Sequence, residues 1–533
     1  MKTITRLAVL TAVSLSLASL PGILAQTDLP HPESTWSLNP TSGDWNLAEN
    51  WMPQSVPDTQ AERAVFVSSS ITDISTTGTV IHSVTFDAGA SQYTLNGFFG
   101  FNGGGVINNS GVVQTFKGSF GFTKGAIGGS LTTFECSGGY FADTSSGGNA
   151  TFINSGFIDF FRFPTAGNAT FINNGGATDG APGSVIYFEK ADAGSATIIN
   201  NGGAVFGAEG GLVKFRKAGA ASSTIISNGG AVFGAHGAQV TFHKAYGNTA
   251  TLIANGGAGP GSGASIIFTE DSSGDLARVE VFGNGNLDVS RPREASDVVG
   301  SIEGNGLVFL GASNLNVGGN NLNTTFAGVI SDVGGLNHGT GGSLTKTGTG
   351  TMTLSNANSY TGGTTVQDGS ILVNNTSGSG TGSGAVQDNS GTLGGSGTIG
   401  GAVTIGSGSG SGAILLPGGS AGNIGALNIQ GALTYNSDGT SEVELDSTTV
   451  SADEILADGV TINSGAQLSL ADLGSSSLNA GTSFTVISNT AASAIAGTFV
   501  NLPDNGTVTI GSNTFQANYE GGDGNDLTLT VLP

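Results

Sequence analysis

Apolar residues in the middle of the chain return in short runs, and glycine or asparagine closes each run. The segments TIIN, AVFG and LVKF are examples, rich in the β-branched and aromatic side chains that are typical of strands. Within these units no stretch spaces its apolar residues at the helical period of about 3.6 residues. The pattern predicts an all-β architecture of short strands separated by tight turns.

One motif recurs at a fixed spacing between residues 150 and 275. Its threonines fall 27 residues apart, and a glycine pair keeps the same spacing; the threonines are Thr170, Thr197, Thr224 and Thr251. A unit too short to fold alone can bury its apolar side by coiling, so that each strand pairs with its equivalent in the next turn. The repeat therefore predicts a right-handed parallel β-helix, a solenoid in which one unit is one turn.

The shared register predicts columns of like side chains, because neighbouring turns lie about 4.8 Å apart. We expect three columns inside the coil: Ile172, Ile199, Ile226 and Ile253; Phe188, Phe215, Phe242 and Phe268; and Phe206 over Phe233. At one corner the asparagine before each glycine pair should hydrogen-bond to its equivalent along the axis; these are Asn174, Asn201, Asn228 and Asn255.

Lysines align in the same register. Lys190, Lys217 and Lys244 each follow a phenylalanine by two residues and predict a short basic stripe on the outer face. One interpretation is a contact with an anionic polysaccharide, and the other is a row of solvated lysines whose repulsion salt screens. Glu270 replaces the lysine in the next unit and Glu189 lies beside the first one, which favours the solvated row.

The first residues have the pattern of an export signal. Lys2 and Arg6 are positive, an apolar run extends to Leu20, and Ala25 ends a cleavage site. The run is shorter than the about 20 residues that a membrane-spanning helix needs, and no later segment qualifies. We predict a signal peptide over residues 1–25, no membrane-spanning segment in the mature chain, and an extracellular or bacterial cell-surface location.

Charge and cysteine content narrow the function classes. The chain has 15 Lys and Arg against 38 Asp and Glu, a net charge of −23, so it has few groups to neutralise nucleic-acid phosphates. Cys136 is the only cysteine, which excludes an intramolecular disulfide and a multi-cysteine metal site. An exported chain of this size must then be held by packing and hydrogen bonds, as a long strand ladder is.

Changes in amino-acid composition divide the mature chain into four segments. Residues 26–95 contain Trp36, Trp45 and Trp51 and several prolines, which predicts a β cap module over the open end of the solenoid. Carbohydrate stacking on Trp45 and Trp51 is the alternative. The segments that follow are predicted to be β-helix with 27-residue repeats (96–310), a thinner Gly/Ser/Thr-rich β-helix (311–430), and the C-terminal end of the coil with its cap (431–533).

Residues 341–374, GGSLTKTGTGTMTLSNANSYTGGTTVQDGSILVN, resemble the autotransporter-associated β-strand repeat of bacterial surface-protein passenger regions. The matching positions are Leu344, Lys346, Gly348, Gly350, Leu354, Asn358, Tyr360, Gly362, Thr364, Gly369 and Leu372. The segment GDWNLAENWMPQSVPDTQAERAVF is similar to the opening of many family members. The resemblance implies an exported, β-helical surface protein, and the family shares no catalytic residues.

A complete autotransporter ends in a β-barrel in the outer membrane, whereas this sequence ends at TLTVLP directly after its passenger-like part. We therefore expect a passenger-like chain without its own C-terminal barrel.

Candidate chemical groups are few. Gly521–Leu527, GGDGNDL, fits one copy of a calcium-binding nonapeptide that works in tandem, so a β-turn is favoured. The other candidates match no acid/base or metal motif; they are the group Arg291, Arg293 and Glu294 and the pair His236 and His243. We predict no catalytic residue, metal or cofactor.

Two functions follow from these observations. The first is a non-catalytic, secreted or cell-surface protein of structural or adhesion type, whose partners would be surface glycans or other cell-surface proteins. The alternative is a β-helical carbohydrate-active enzyme, a polysaccharide lyase or hydrolase, by analogy with pectin-lyase-like folds. The enzyme predicts a groove with converging acidic and basic side chains, and the scaffold predicts surfaces of Ser, Thr, Asn and Gly.

Overall fold

The computed structural model describes residues 31–291, 296–410, 412–420 and 422–533. Within these ranges the chain is almost entirely β-structure, and its single helix is the 3₁₀ turn Ala48–Asn50. That turn is far shorter than the about 20 residues of a helix that crosses a membrane. The predicted export signal, residues 1–25, lies outside the described residues.

The N-terminal strands already follow the coil; they are β1 (Glu33–Trp36), β2 (Trp51–Met52), β3 (Arg63–Phe66), β4 (Asp73–Ser75) and β5 (Thr79–Phe86). β1 pairs with β3, and β3 with β5, in parallel. Trp36 and Trp45 both pack edge to face against Trp51, and all three rings are fully buried. The rings are therefore enclosed in the core, and none offers a face on which a sugar could stack.

The next strands are long and turn a corner without a break; they are β6 (Thr94–Asn108), β7 (Gln114–Thr123), β8 (Thr132–Ala142) and β9 (Thr151–Phe161). Each pairs in parallel with the one that follows. Phe116, Phe134 and Phe152 occupy equivalent positions only 18 residues apart, with ring centroids 4.8 Å apart. One turn of the coil therefore needs only 18 residues in this segment.

From residue 170 each turn contains two strands, which are β10 (Thr170–Asn173), β11 (Val185–Glu189), β12 (Thr197–Asn200), β13 (Leu212–Arg216), β14 (Thr224–Ser227), β15 (Gln239–His243), β16 (Thr251–Ala254), β17 (Ser265–Thr269), β18 (Arg278–Val281) and β19 (Asn286–Arg291). β10 and β11 both pair with β9, so the two strands together replace one long strand, and a loop separates them. Thr170 pairs with Thr197, and Thr197 with Thr224, so the 27-residue unit is one turn, as the repeat predicts.

The interior of these turns confirms one predicted column and corrects another. Phe188, Phe215, Phe242 and Phe268 are buried, with successive centroids 4.7, 4.9 and 4.7 Å apart. The predicted isoleucine column is wrong by one residue, because TIIN has two adjacent apolar residues and either could point inward. The inward column is Phe171, Ile198, Ile225 and Leu252, and Ile172, Ile199, Ile226 and Ile253 face outward.

The run AVFG is also corrected, since it forms a loop and not a strand. Phe206 and Phe233, which lie in this run, are therefore outside the coil.

A narrower coil continues from residue 296 with short strands that again pair mostly in parallel. Its strands are β20 (Ser296–Val299), β21 (Ser301–Gly304), β22 (Leu307–Phe309), β23 (Asn314–Val317), β24 (Thr324–Phe326), β25 (Val329–Ser331), β26 (Ser343–Lys346), β27 (Thr351–Leu354), β28 (Thr364–Val366), β29 (Ser370–Val373), β30 (Val386–Asp388), β31 (Thr392–Gly395), β32 (Thr398–Ile399), β33 (Val403–Ile405), β34 (Ala413–Pro417), β35 (Ala426–Ile429), β36 (Leu433–Tyr435), β37 (Gly439–Asp446), β38 (Ser451–Ala452), β39 (Glu454–Ala457), β40 (Val460–Ile462) and β41 (Gln467–Asp472). One wall is the ladder β20-β23-β26-β28-β30-β33-β36-β40.

The coil ends in antiparallel strands, which are β42 (Ser483–Asn489), β43 (Thr507–Ile510), β44 (Asn513–Gly521) and β45 (Asp526–Val531). β44 pairs with β43 on one side and β45 on the other, and β45 pairs with β42. Gly521 pairs with Asp526, so the GGDGNDL segment is the turn of this hairpin. The all-β parallel β-helix predicted from the sequence is confirmed.

Candidate functional site

Four loops project from one corner of the coil, between β10 and β11 and at the three equivalent corners that follow. They are residues 174–184, 201–211, 228–238 and 255–264. Backbone hydrogen bonds join neighbouring loops: the N–H of Gly176 donates to the oxygen of Glu209, and that of Gly203 to the oxygen of His236, both at 2.8 Å. The loops therefore stack into a continuous shelf, which we call the loop ledge.

Buried asparagines close the base of the loops. The Nδ2 of Asn173, which is fully buried, donates to the carbonyl of Ser184 at 2.9 Å and to Oδ1 of Asn200 in the next turn at 2.8 Å. Asn154 bonds to Asn173 in the same way at 2.8 Å. A buried amide needs such partners, so this inner ladder fixes where each loop leaves and rejoins the coil. Sequence reasoning selected the neighbouring Asn174 and missed this ladder.

The asparagines selected from the sequence form a second ladder on the outer side. Nδ2 of Asn228 donates to Oδ1 of Asn201 at 3.0 Å, and Nδ2 of Asn255 to Oδ1 of Asn228 at 2.9 Å. Asn174, Asn201 and Asn228 line an open groove of about 610 Å³ at the foot of the loop ledge. No titratable side chain lies among the residues that line this groove. The groove offers amide and backbone groups, which suits polar binding more than catalysis.

The tips of the two central loops expose phenylalanine. Phe206 is 63% exposed and Phe233 is 68% exposed, so the predicted interior position of this pair is wrong. Each ring lies over a glycine of the following loop, because a Cβ atom at Gly234 would collide with Phe206 and one at Gly259 with Phe233. The loop ledge therefore carries a row of exposed aromatic rings.

A second row of surface groups lies at the opposite end of β11, β13 and β15. The residue after each strand has a left-handed backbone, and four successive turns place a cation there: Arg162 (φ 65°), Lys190 (φ 51°), Lys217 (φ 51°) and Lys244 (φ 50°). The N–H of Lys190 donates to the oxygen of Arg216, and that of Lys217 to the oxygen of His243, both at 3.2 Å. We call these four residues the basic ridge. The predicted alignment of Lys190, Lys217 and Lys244 is confirmed, and Arg162 is a further member of the row.

Acidic residues bound the basic ridge on both sides. Asp143 and Glu270 occupy the same left-handed corner in the turns before and after it. Nζ of Lys244 lies 3.4 Å from Oε2 of Glu270. Within the described residues, no carboxylate lies within 4.0 Å of the charged nitrogens of Arg162, Lys190 or Lys217. The central part of the ridge is therefore unpaired.

The outer face of the strands between ledge and ridge adds further charged groups that sequence reasoning did not select. Arg216 pairs in register with Glu189, and its Nη1 lies 2.8 Å from Oε1 of Glu189. Nζ of Lys214 lies 5.9 Å from the ring centroid of Tyr187 in the preceding turn, a cation–π contact. Both cations belong to the same turn as Lys217.

One open depression on this face collects the candidates for acid/base chemistry. It has a volume of about 560 Å³, and His243, Glu270 and Arg291 line it. Nε2 of His243 lies 3.6 Å from Oε2 of Glu270. Arg293 and Glu294, which the sequence grouped with Arg291, lie outside the described residues.

The second histidine of the predicted pair lies elsewhere. His236 is on the loop ledge, with Nε2 3.9 Å from Oε1 of Glu209, so the structure does not combine it with His243. Across the described ranges, no three His, Cys, Asp or Glu side chains are arranged to hold a metal ion.

Ionisable side chains also occur inside the narrow coil. Asp388 is fully buried; its Oδ1 accepts the N–H of Gly391 at 2.8 Å, and its Oδ2 has no partner among the described groups. Burial raises the pKa of Asp388 to about 6. Burial, together with the carboxylate of Asp288, raises the pKa of Asp297 to about 7. These acids are packed within the coil wall, so they bear on stability rather than on an open site.

The segment between β26 and β29 has its own buried polar groups. Lys346 is 1% exposed, and its Nζ donates to the carbonyls of Thr347 and Gly348, both at 2.8 Å. Burial lowers the pKa of Lys346 to about 8. Asn358 accepts the N–H of Ile330 at 2.7 Å through Oδ1, which ties it to the preceding turn.

Residues 344–373 match the family model of the passenger-associated-transport-repeat. The match confirms the resemblance to autotransporter passenger regions. Within this passenger repeat, Asn358 bonds to Ile330 of the preceding turn, and Nζ of Lys346 also donates to the carbonyl of Asp368 in the next turn at 3.4 Å. The Hap adhesin of Haemophilus influenzae is a solved structure similar to this chain, with 10% sequence identity and a TM-score of 0.28. The alignment covers 89% of this chain and 59% of the adhesin chain. None of the curated proteins matches this chain.

Proposed function

We propose that this passenger-like chain is an exported, non-catalytic surface protein of structural or adhesion type. The observation that supports it is the continuity of the passenger repeat with the rest of the coil. Strands β26 and β27 pair in parallel with β23 and β24 before the repeat, and β28 and β29 with β30 and β31 after it. The repeat thus belongs to the same solenoid that carries the loop ledge and the basic ridge.

The surface of this solenoid suits contact with an extended partner. The loop ledge and the basic ridge both repeat once per turn, so they form rows along the coil axis rather than a pocket. Surface glycans and other cell-surface proteins are the partners that we propose, since rows of this kind can contact several units of a long molecule at once.

Export is tested by expressing the full chain in a diderm bacterial host with a C-terminal tag. We expect mass spectrometry to find a mature N-terminus near Gln26, and external protease to cleave the chain on intact cells or the culture medium to contain it. The control is a variant without residues 1–25, which should stay inside the cell. Cytoplasmic retention of the uncleaved full chain contradicts the proposal.

The enzyme remains the second candidate because the depression beside β15 brings His243, Glu270 and Arg291 together. Against catalysis, Glu270 already lies within 4 Å of both His243 and Lys244, which engages its carboxylate. We expect purified mature chain to show no turnover of common polysaccharides, with or without calcium. Turnover that is lost in Arg291→Ala while circular dichroism is unchanged would establish the enzyme instead.

A further inference from the structure

The cations of this chain are concentrated in one segment and largely on one side of it. Six exposed or half-exposed cations lie between β9 and β15 on the basic ridge and the face beside it: Arg162, Lys190, Lys214, Arg216, Lys217 and Lys244. Beyond residue 311 the sequence has a single Lys or Arg, Lys346, and that side chain is buried. A protein with a net charge of −23 therefore carries a local row of cations.

The basic ridge is unfavourable for the fold on its own. Like charges at equivalent positions of neighbouring strands repel each other, and a left-handed backbone is adopted more readily by Gly, Asn or Asp than by Lys or Arg. Asp143 and Glu270 show that the corner accepts an acidic residue. If this row of residues were adapted to stability alone, positive and negative charges would alternate along it. Four consecutive cations are explained better by an external ligand that supplies the negative charge.

We propose that the basic ridge binds a linear anionic polysaccharide that lies along the coil axis. Successive turns are about 4.8 Å apart, so the four cations form a straight row about 14 Å long. Lys214 widens the row at the turn of Lys217, beside the ion pair of Arg216 and Glu189. An extended glycan with carboxylate or sulfate groups on its sugars can contact several of these cations together. The proposal rests on the proposed function, since the ridge must face the medium outside the cell.

A second copy of this chain is a weaker match for the ridge, although its C-terminal part is acidic. Two of the acidic groups there are engaged by backbone N–H groups of neighbouring turns. The carboxylate of Asp438 accepts the N–H groups of Gly408 and Gly410, both at 2.7 Å. The carboxylate of Asp472 accepts the N–H of Ser447 at 2.9 Å. Carboxylates that stabilise turns are less available to an external cation than those of a free polysaccharide.

The test measures the binding of purified mature chain to heparin, polygalacturonate and dextran by isothermal titration calorimetry at low ionic strength. We expect binding to heparin, to polygalacturonate or to both, and none to uncharged dextran. Binding should weaken as salt rises, because the polyanion releases counterions when the ridge neutralises it. Equal binding to dextran, or binding to neither polyanion, overturns the proposal.

Variants locate the binding on the ridge. Asparagine removes the charge and tolerates the left-handed backbone, so we compare Lys217→Asn with Lys124→Asn. Lys124 has the same conformation (φ 51°) at the equivalent corner two turns before Arg162, and Asp143 separates it from the ridge. We expect Lys217→Asn to weaken binding about threefold, and the triple variant Lys190→Asn/Lys217→Asn/Lys244→Asn about tenfold or more. Lys124→Asn should stay within about twofold of the unmodified chain. Equal effects of Lys124→Asn and Lys217→Asn overturn the assignment.

Two further measurements separate the alternatives. The triple variant should unfold at the same or a higher temperature than the unmodified chain, because it loses like-charge repulsion, so lost binding cannot be attributed to misfolding. Analytical ultracentrifugation without polysaccharide tests the second copy: self-association at low salt that the triple variant abolishes would replace the polysaccharide with another molecule of the same chain. These assays use purified protein, so failure of export in cells does not decide them, and their failure leaves export untouched.

Discussion

Two parts of the coil, residues 114–268 and residues 296–472, have the same parallel ladders and different interiors. The first is filled by stacked phenylalanines, such as Phe215 and Phe242, whose planes differ by 5°. The second is filled mainly by aliphatic residues and also encloses charged groups, among them Lys346 and Asp388. Parallel strand pairing therefore holds both parts of the coil together, whereas the stacked rings make the sequence of the first part repeat.

In the narrow coil the ladder persists while the residue type changes from turn to turn. One inward column reads Val317, Lys346, Val366, Asp388 and Ile405, paired in consecutive register. Stacked rings favour a ring above and below, because aromatic contact adds to burial, and the repeat is therefore visible in the sequence. Aliphatic positions accept any side chain that fits or finds hydrogen bonds. Regular register therefore does not require a regular sequence.

The largest expected effect breaks the ring column. Phe215→Ala should lower the free energy of unfolding by about 3–5 kcal/mol, because it leaves a cavity between two stacked rings. Urea unfolding followed by circular dichroism measures the loss. The control is Phe233→Ala on the loop ledge, which should cost no more than about 0.5 kcal/mol, since that ring is largely exposed. Equal losses would mean that the column does not stabilise the first part of the coil.

The inner asparagine ladder runs from Asn154 of β9 along the base of the loops, and its removal should have the next largest effect. Asn173→Ala should cost about 2–3 kcal/mol, because it leaves the buried Oδ1 of Asn200 without its donor. It also removes one acceptor from the Asn154 amide and one donor from the Ser184 carbonyl. Hydrogen exchange should accelerate in residues 174–184. Asn228→Ala, in the outer ladder, is the matched control and should cost about 1 kcal/mol or less, since water can replace its partner.

A pH dependence should distinguish the narrow coil. The raised pKa of Asp388, about 6 against an ordinary value of 3.8, means that the folded state holds its proton more tightly than the unfolded state. The resulting stability is present below about pH 4, falls as pH rises towards 6, and is absent above it. Asp388→Asn should therefore stabilise the chain by about 1–2 kcal/mol at pH 8 and have little effect at pH 4.

The control for this titration is Asp523→Asn in the exposed hairpin turn, because the general repulsion in an acidic chain affects both variants. Unfolding midpoints at both pH values measure the difference. An equal change in the two variants, or a gain for Asp388→Asn that is larger at pH 4, contradicts the assignment.

The smallest expected effect is the difference in stability between two glycine variants, one in each part of the coil. Gly234 (φ 78°) lies under Phe206, whereas Gly408 (φ 87°) of the narrow coil has open space where a Cβ atom would be. Alanine at either position has an unfavourable left-handed backbone, at about 1 kcal/mol. Gly234→Ala should cost up to about 1 kcal/mol more, because the ring must move as well. Identical thermal midpoints for the two variants would show that Phe206 is not held in place.

The repeat predicts the coil, its 27-residue turns and the phenylalanine column, because pairing in register brings identical residues together. The sequence does not predict which residues of a strand point inward, because Ile198 and Ile199 are equally apolar and only the fold decides between them. AVFG has the composition of a strand, yet loop stacking can expose Phe206 without any local signal. Hydrophobic pattern alone does not separate a buried strand from an exposed aromatic loop.

Some functional groups could be found from the sequence and others could not. Lys190, Lys217 and Lys244 are visible because they share the 27-residue spacing. Arg162 is missed because its corner contains one extra residue, which places it 28 residues before Lys190 and so outside that spacing. Asn173 has a signal in the Asn-Asn pair, but the choice between the two residues depends on the corrected phase. Asp388 has no periodic signal, because its column changes residue type at each turn.

The one-to-one pairing of the looped turns has a consequence for the length of the molecule. If residues 197–223 were removed as a block, Thr170 would meet Thr224 with every neighbour in its accustomed place, since β10 already pairs with β12 as β12 pairs with β14. Recombination between such similar segments of a gene would add or delete whole turns. The length of the coil would then change by about 4.8 Å for each unit gained or lost, without a new fold at any step.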